Sequence, residues 1–220
     1  LLDFTGIGSD ELESHRFLDE AVVAVPDLDE KIKAHFPPKT PAENAMRVLL
    51  LDVSQHFSHE DGMLYDVVEP PLGLMYVVTY LNREFGDRIH GKVAKARIDF
   101  NNFQQLKEMI ESYRPHVIGM RALSFYKDNV HRCAAAIRQW GIDVPIIAGG
   151  PYATSDYHTM LQDADIDLAV IGEGELITYQ LMQAMLDNNN SLPGENVLRD
   201  IPGLAFIPGS KNGRLAGSRS

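Results

Sequence analysis

From residue 47 onward the chain switches repeatedly between two patterns of apolar and polar positions. Residues 48–53 are a continuous apolar run apart from Asp52, as expected of a strand covered on both faces. Residues 70–85 are apolar-rich over a longer span, and Pro71 suits the first turn of a helix there. Residues 92–98 predict a weaker, more polar strand near a sheet edge, and residues 102–114 an amphipathic helix with Phe103, Leu106, Met109 and Ile110 on one face. Residues 116–123 predict a strand, and residues 127–140 a helix ended by Gly141, a suitable C-cap residue. Residues 144–148 and 155–164 make the fourth strand–helix pair, and residues 167–171 and 175–186 the fifth. Residues 188–193 are a turn-rich break, and 204–207 suggest an added edge strand. Five such units predict an α/β fold, a doubly wound five-stranded parallel sheet with helices on both faces and right-handed crossovers. Ligands of such sheets bind beyond the carboxyl ends of the strands, near the switch in strand order, so the residues after each strand are the informative ones.

The first 46 residues look separate. Leu12, Leu18, Ala21, Val22 and Val25 have roughly helical spacing, and Asp27 with Glu30 forms a capping-box pattern for a short helix through His35. The sequence FPPKTP at 36–41 breaks regular structure. The expected organisation is a helical lead-in and Pro-rich linker at 1–46, an α/β domain at 47–190 and a linker at 191–220. The chain starts without Met and ends in RLAGSRS, which reads as a piece excised from a longer protein.

Composition narrows the functional classes. Of 220 residues 45% are hydrophobic, enough for a sizeable core. A net charge of −11 repels phosphate backbones and anionic membranes, which argues against nucleic-acid or membrane partners. No run approaches the roughly 18 apolar residues of a membrane span, and no signal peptide is seen. Cys133 is the one cysteine, so no disulfide framework or iron–sulfur cluster can form from this chain alone, and a cytoplasmic setting fits. Cys133 sits mid-helix beside alanines and reads as a small buried hydrophobe, Trp140 as packing and His158 as a surface residue.

The segments after the strands carry the candidate chemistry. The loop after the first contains His56, His59, Glu60 and Asp61, readable as a metal or axial-ligand site but more simply as a solvated polar loop. Pro71, Leu72 and Gly73 then open the first helix, and glycine there lets a backbone or flat ligand come close. After the third strand come Arg121, Ala122, Leu123 and Ser124, small and hydroxyl residues suited to an inserted ligand tail. After the fourth come Gly149, Gly150, Tyr152 and Thr154: the glycines make room for a ligand, and Tyr152 either stacks on it or covers the core. After the fifth come Gly172, Glu173, Gly174 and Glu175. The glycines allow a tight turn, and the carboxylates disfavour a phosphate there. Neither a G-x-G-x-x-G after the first strand nor a G-x-x-x-x-G-K-[ST] occurs.

The ordered set EPPLG at 69–73, PHVIG at 115–119, PIIAGGPYAT at 145–154 and VIGEGE at 170–175 resembles the cobalamin-binding domain of class B radical SAM proteins, over about residues 47–208. IPGLAF at 201–206 looks like the stretch preceding the radical SAM barrel in that family. The resemblance implies a Rossmann-like cobalamin-binding fold with the corrin over the carboxyl edge of the sheet and the nucleotide tail descending between helices. The cofactor-binding residues it implies are Pro71, Leu72, Gly73, Arg121, Leu123, Ser124, Gly149, Gly150, Tyr152, Thr154, Gly172, Glu173, Gly174 and Glu175, with no metal ligand from the protein and no catalytic residue in this chain. It also implies a downstream radical SAM domain carrying a 4Fe-4S cluster and S-adenosylmethionine. That parent would be a methyltransferase working through methylcobalamin, or a cyclase like the magnesium-protoporphyrin monomethyl ester cyclase group.

Two departures from the family pattern matter. Methionine-synthase-like domains carry Asp-x-His-x-x-Gly after the first strand. With Gly73 in register, Pro70 replaces the His and Val68 the Asp, so no His ligand to cobalt is in place. His59-Glu-Asp-Gly62 has the His-x-x-Gly spacing but stands well before the helix, with Phe57 in place of the Asp. The family's Ser-x-Leu appears as Arg121-Ala-Leu123. Arg121 is then open to three readings: a partner for a cobalamin phosphate, a partner for a carboxylate such as Glu173, or a block in the tail cavity. Two other functions stay in view: a scaffold module that keeps the fold without cobalamin, and a flavin binder on a flavodoxin-like sheet, for which the acidic, His-rich first loop is poorly suited.

Overall fold

The computed structural model describes residues 27–35, 37, 40–58 and 69–209. By its contacts the chain divides into two units, Leu1–Thr40 and Pro41–Ser220. The first contains helix α1 (Leu28–His35), whose expected capping segment precedes it directly. The helix expected over residues 9–25 lies outside the described residues.

The second unit alternates strand and helix as the pattern predicts: β1 (Met46–Asp52), α2 (Leu72–Phe85), β2 (Ile89–Lys95), α3 (Phe103–Tyr113), β3 (Val117–Arg121), α4 (Lys127–Gln139), β4 (Ile146–Gly149), α5 (Gly150–Met160), β5 (Leu168–Val170), α6 (Gly174–Asp187), α7 (Glu195–Arg199) and β6 (Leu204–Ala205). The sheet order is β2-β1-β3-β4-β5-β6. The first five strands are parallel, and β6 pairs antiparallel with β5. The strand order reverses between β1 and β3, which is the switch point of this sheet.

Period-two geometry sends alternate β1 side chains to opposite faces, and both faces are apolar because both are covered. Leu49, Leu51 and Val53 join a core with α3, α4 and α5, whereas Met46, Val48 and Leu50 join a core with α2, α6 and α7. Each fully buried side chain of this kind contributes about 1.5–3 kcal/mol. Helix α3 starts where the Asn102 side chain accepts the Gln105 N–H at 2.8 Å. At the amino end of the sheet, Arg138 from α4 donates to Asp167 at 2.7 Å, and Asp167 also accepts the Ile146 N–H at 2.7 Å, closing a buried polar junction under β4 and β5.

Three boundaries differ from the sequence expectation. Strand β2 begins at Ile89, earlier than expected, because parallel pairing along β1 matches Met46 to Ile89 and Asp52 to Lys95. Helix α5 begins at Gly150, not in the mid-150s, and is kinked at Asp156, where the backbone leaves helical geometry. Besides the expected edge strand β6, the segment expected as a linker carries α7, and Leu192, Leu198 and Ile201 are buried in the α2/α6 core.

Candidate functional site

The α2/α6 face of the sheet is incompletely filled. A cavity of about 480 Å³ runs from the carboxyl edge down between the sheet and these two helices. That volume is in the range of small-molecule and cofactor sites. Its floor is Val48, Leu50, Val117, Ile147 and Val170, contributed by four adjacent strands, and its roof is Leu74 and Val77 from α2 with Thr178 and Met182 from α6. Glycine keeps the floor low. A Cβ at Gly119 would stand 2.7 Å from Leu50 Cδ2, so any larger residue there would push Leu50 or fill the space.

The mouth is built from the start of α2, from the ends of β3 and β4 and from the segments that follow β4 and β5. Gly73, Arg121, Gly149, Gly150, Thr154, Gly172, Glu173, Gly174 and Glu175 all line the cavity. Thr154 Oγ1 accepts the Gly172 N–H at 3.0 Å and so ties the start of α5 to the turn before α6. Pro71 and exposed Leu72 flank the opening at the start of α2. Leu123 and Ser124 are exposed beyond β3, and the Ser124 hydroxyl is 3.3 Å from that of Ser155, a lining residue. Around this edge Leu72, Met75, Leu123, Phe125 and Leu176 expose apolar side chains.

Tyr152 is placed elsewhere. Its side chain is 2% exposed in the core under α4 and α5, on the opposite face of the sheet, and its hydroxyl lies 2.9 Å from His131 Nε2. His131 Nδ1 is in turn 2.6 Å from Asp163 Oδ2. Burial first, then the Asp156, Asp128 and Asp163 carboxylates, push the Tyr152 phenol above its ordinary value. The ring therefore packs and hydrogen-bonds α5 to α4; it does not face the cavity.

The polar feature that the sequence reading missed is Asp52. It is the last residue of β1 on the cavity face and is fully buried, with Lys95 Nζ at 3.4 Å and Arg121 Nη1 at 2.8 Å. The Ser54 N–H donates to its Oδ1 at 2.9 Å, and Arg121 also donates to Ser54 Oγ at 3.2 Å. Burial alone would raise the Asp52 pKa, but the Ser54 hydrogen bonds and the Lys95 and Arg121 charges outweigh it and hold the carboxyl below its ordinary value. The carboxylate that Arg121 meets is thus Asp52 and not Glu173, and the cavity stays open beside its side chain. A signal for this existed: an Asp closing an otherwise apolar buried strand must have a partner.

Of the candidate axial or metal ligands after β1, His56 packs edge-on against Tyr126, and His59, Glu60 and Asp61 lie outside the described residues, as does Val68. Among the described residues that line the cavity there is no histidine or cysteine. Among the described residues no cluster of three or more His, Cys, Asp or Glu is arranged to hold a metal ion. No helix among them is long and apolar enough to cross a membrane.

The cavity suits one long, mixed ligand better than a nucleotide: its depth is apolar, its mouth polar, and the helix start at its far lip carries Glu173 and Glu175, where a phosphate would meet two carboxylates. Comparison with known families agrees. The model of the B12 binding domain matches residues 65–181, more than half of the chain. No curated protein matches it.

Proposed function

Because the chain belongs to the B12 binding domain family, we propose that it is the cobalamin-holding module of a larger cobalamin-dependent radical SAM enzyme. The observation that carries the cobalamin part is the cavity at the β1/β3 switch point, which opens at the carboxyl edge and runs between α2, α6 and the sheet. Gly73, Gly149, Gly150 and Gly172, where little side-chain bulk stands in the way, would hold the corrin, and Gly119, Val117 and Met182 would hold the nucleotide tail. Thr154 holds the two lips together through Gly172. The described lining residues would offer the metal no imidazole. When bound, cobalamin would supply alkyl-transfer chemistry; this chain would supply position and an apolar sheath for the tail.

The radical SAM partner rests on the resemblance of residues 47–208 and on the exposed apolar edge at Leu72, Met75, Leu123, Phe125 and Leu176, which suits cover by a further domain. In that reading the 4Fe-4S cluster and S-adenosylmethionine belong to the other domain, and methyl transfer or cyclisation is its reaction. A scaffold that keeps the fold but has lost cobalamin is the second reading, favoured by Arg121 at the mouth.

Mixing the chain with hydroxocobalamin, desalting it and recording the visible spectrum tests the proposal. Retained corrin bands of base-off shape, unchanged in His59→Ala, are expected. Bands lost only in His59→Ala would place an imidazole on the cobalt, and no retained corrin would favour the scaffold.

A further inference from the structure

Lys95, Asp52 and Arg121 form a row across three strands. In the sheet register Asp52 stands opposite Lys95 on one side and Arg121 on the other. Two cations share one carboxylate, so the row is positive overall. Its inner member, Lys95, is about as buried as Asp52, its side chain 5% exposed, whereas the Arg121 side chain is 28% exposed and lines the cavity. Both Arg121 hydrogen bonds leave from Nη1, so the five-donor fork retains donors for a ligand. The stem is held from the other side by the diglycine. Gly150 has φ +86°, and a Cβ there would come within 2.7 Å of Arg121 Cγ.

The mouth is consequently polarised. Arg121 ends β3, while Glu173 and Glu175 follow β5, with β4 between them. Strand spacing puts the two sides about 10 Å apart. In a chain of net charge −11, this is a local cation set where an anion must enter. A cobamide carries one fixed anion, the phosphodiester linking the corrin to the nucleotide; the polar side chains of the corrin ring are amides. With the corrin above the edge and the base in the apolar depth, the phosphodiester falls at the level of the mouth. The corrin amides, which donate, suit the glutamate side.

We propose that Arg121 anchors the phosphodiester of the cobamide tail, so that the chain selects complete cobamides over tail-less corrinoids by charge as well as by cavity shape. The inference rests on the cobalamin reading above. Arg121 presents a charged fork at the rim, which an oxyanion engages more strongly than a neutral donor.

The test is binding of hydroxocobalamin, of cobinamide (corrin without the nucleotide) and of adenosine monophosphate to the wild type, Arg121→Met and Arg121→Lys. Arg121→Met should weaken hydroxocobalamin by about 10- to 100-fold, the range of a charge-assisted hydrogen bond. It should leave cobinamide within about twofold, and Arg121→Lys should fall between. Thermal denaturation checks folding, which Lys95 on Asp52 preserves. Equal loss of both corrinoids, or loss of neither, overturns the anchor while leaving the cobalamin reading intact. A wild type that binds neither corrinoid overturns both. Adenosine monophosphate bound as tightly as hydroxocobalamin, and lost in Arg121→Met, would reassign the site to nucleotides and overturn the anchor as well.

Discussion

Asp52→Ala is the perturbation with the sharpest structural consequence. Asp52 is fully buried, and it is the carboxylate that meets Lys95, whose side chain is 5% exposed. Removing it leaves an ammonium out of water without its counter-charge, and breaking a buried pair from one side costs about 3–5 kcal/mol. For a unit of this size that is a fall in Tm of about 6–20 °C. Arg121, more exposed, can turn to solvent and adds little to the loss. The loss should therefore be repaired at Lys95: Asp52→Ala with Lys95→Met should recover most of it, a coupling of at least about 2 kcal/mol in a urea-denaturation cycle at pH 7. The sign with pH follows from the lowered Asp52 pKa. A carboxyl depressed in the folded state contributes stability that is whole above the unfolded value near 3.8 and is lost as pH falls through the folded value. The gap between wild type and Asp52→Asn should therefore stay constant from pH 7 to about 4 and close only below that. A cost under about 1 kcal/mol for Asp52→Ala, or additive effects in the double variant, would refute the account of the row as a buried ion system.

Gly119→Val puts side-chain bulk on the cavity floor beside Leu50, so hydroxocobalamin retention should fall at least about tenfold, while overpacking costs about 1–3 kcal/mol of stability. Asp167→Ala should cost about 3–5 kcal/mol in urea denaturation by stranding Arg138, yet leave corrin retention unchanged, because the junction lies at the amino end of the sheet. His116 Nδ1 accepts the Arg47 N–H at 2.9 Å, and burial, then the Arg47 charge, lower its pKa below 6.5. Its contribution is full above pH 6.5 and is lost as pH falls, so wild-type Tm should drop between pH 7 and 5 more than that of His116→Asn, which keeps an acceptor without titrating.

The fold was legible because its elements obey one local rule each. Strand β1 shows five apolar side chains, and Val53 just after it a sixth, divided between two cores, and only a strand between two helix layers needs that. That the glycines after β4 and β5 would line the cavity mouth was legible for a related reason: the end of a buried strand of a doubly wound sheet is where backbone must make room. What the local pattern could not carry was register. The early start of β2 is set by its pairing with β1, and pairing joins residues more than forty positions apart. Of the two places open to Tyr152, the start of α5 decides for the core: once the helix begins at Gly150, its side chain points into the α4 side and the cavity edge is left to Thr154 and Ser155. Arg121 shows the same limit from the other direction. Its distance in sequence from Asp52 hides a pairing that the sheet makes unavoidable, since β1 and β3 are neighbours and their last residues face the same side. Strand order thus decides what the cation does: with β1 beside β3, one carboxylate holds Arg121 at the rim without neutralising the row, and the cavity behind it stays open to a ligand with a negative charge at the same level.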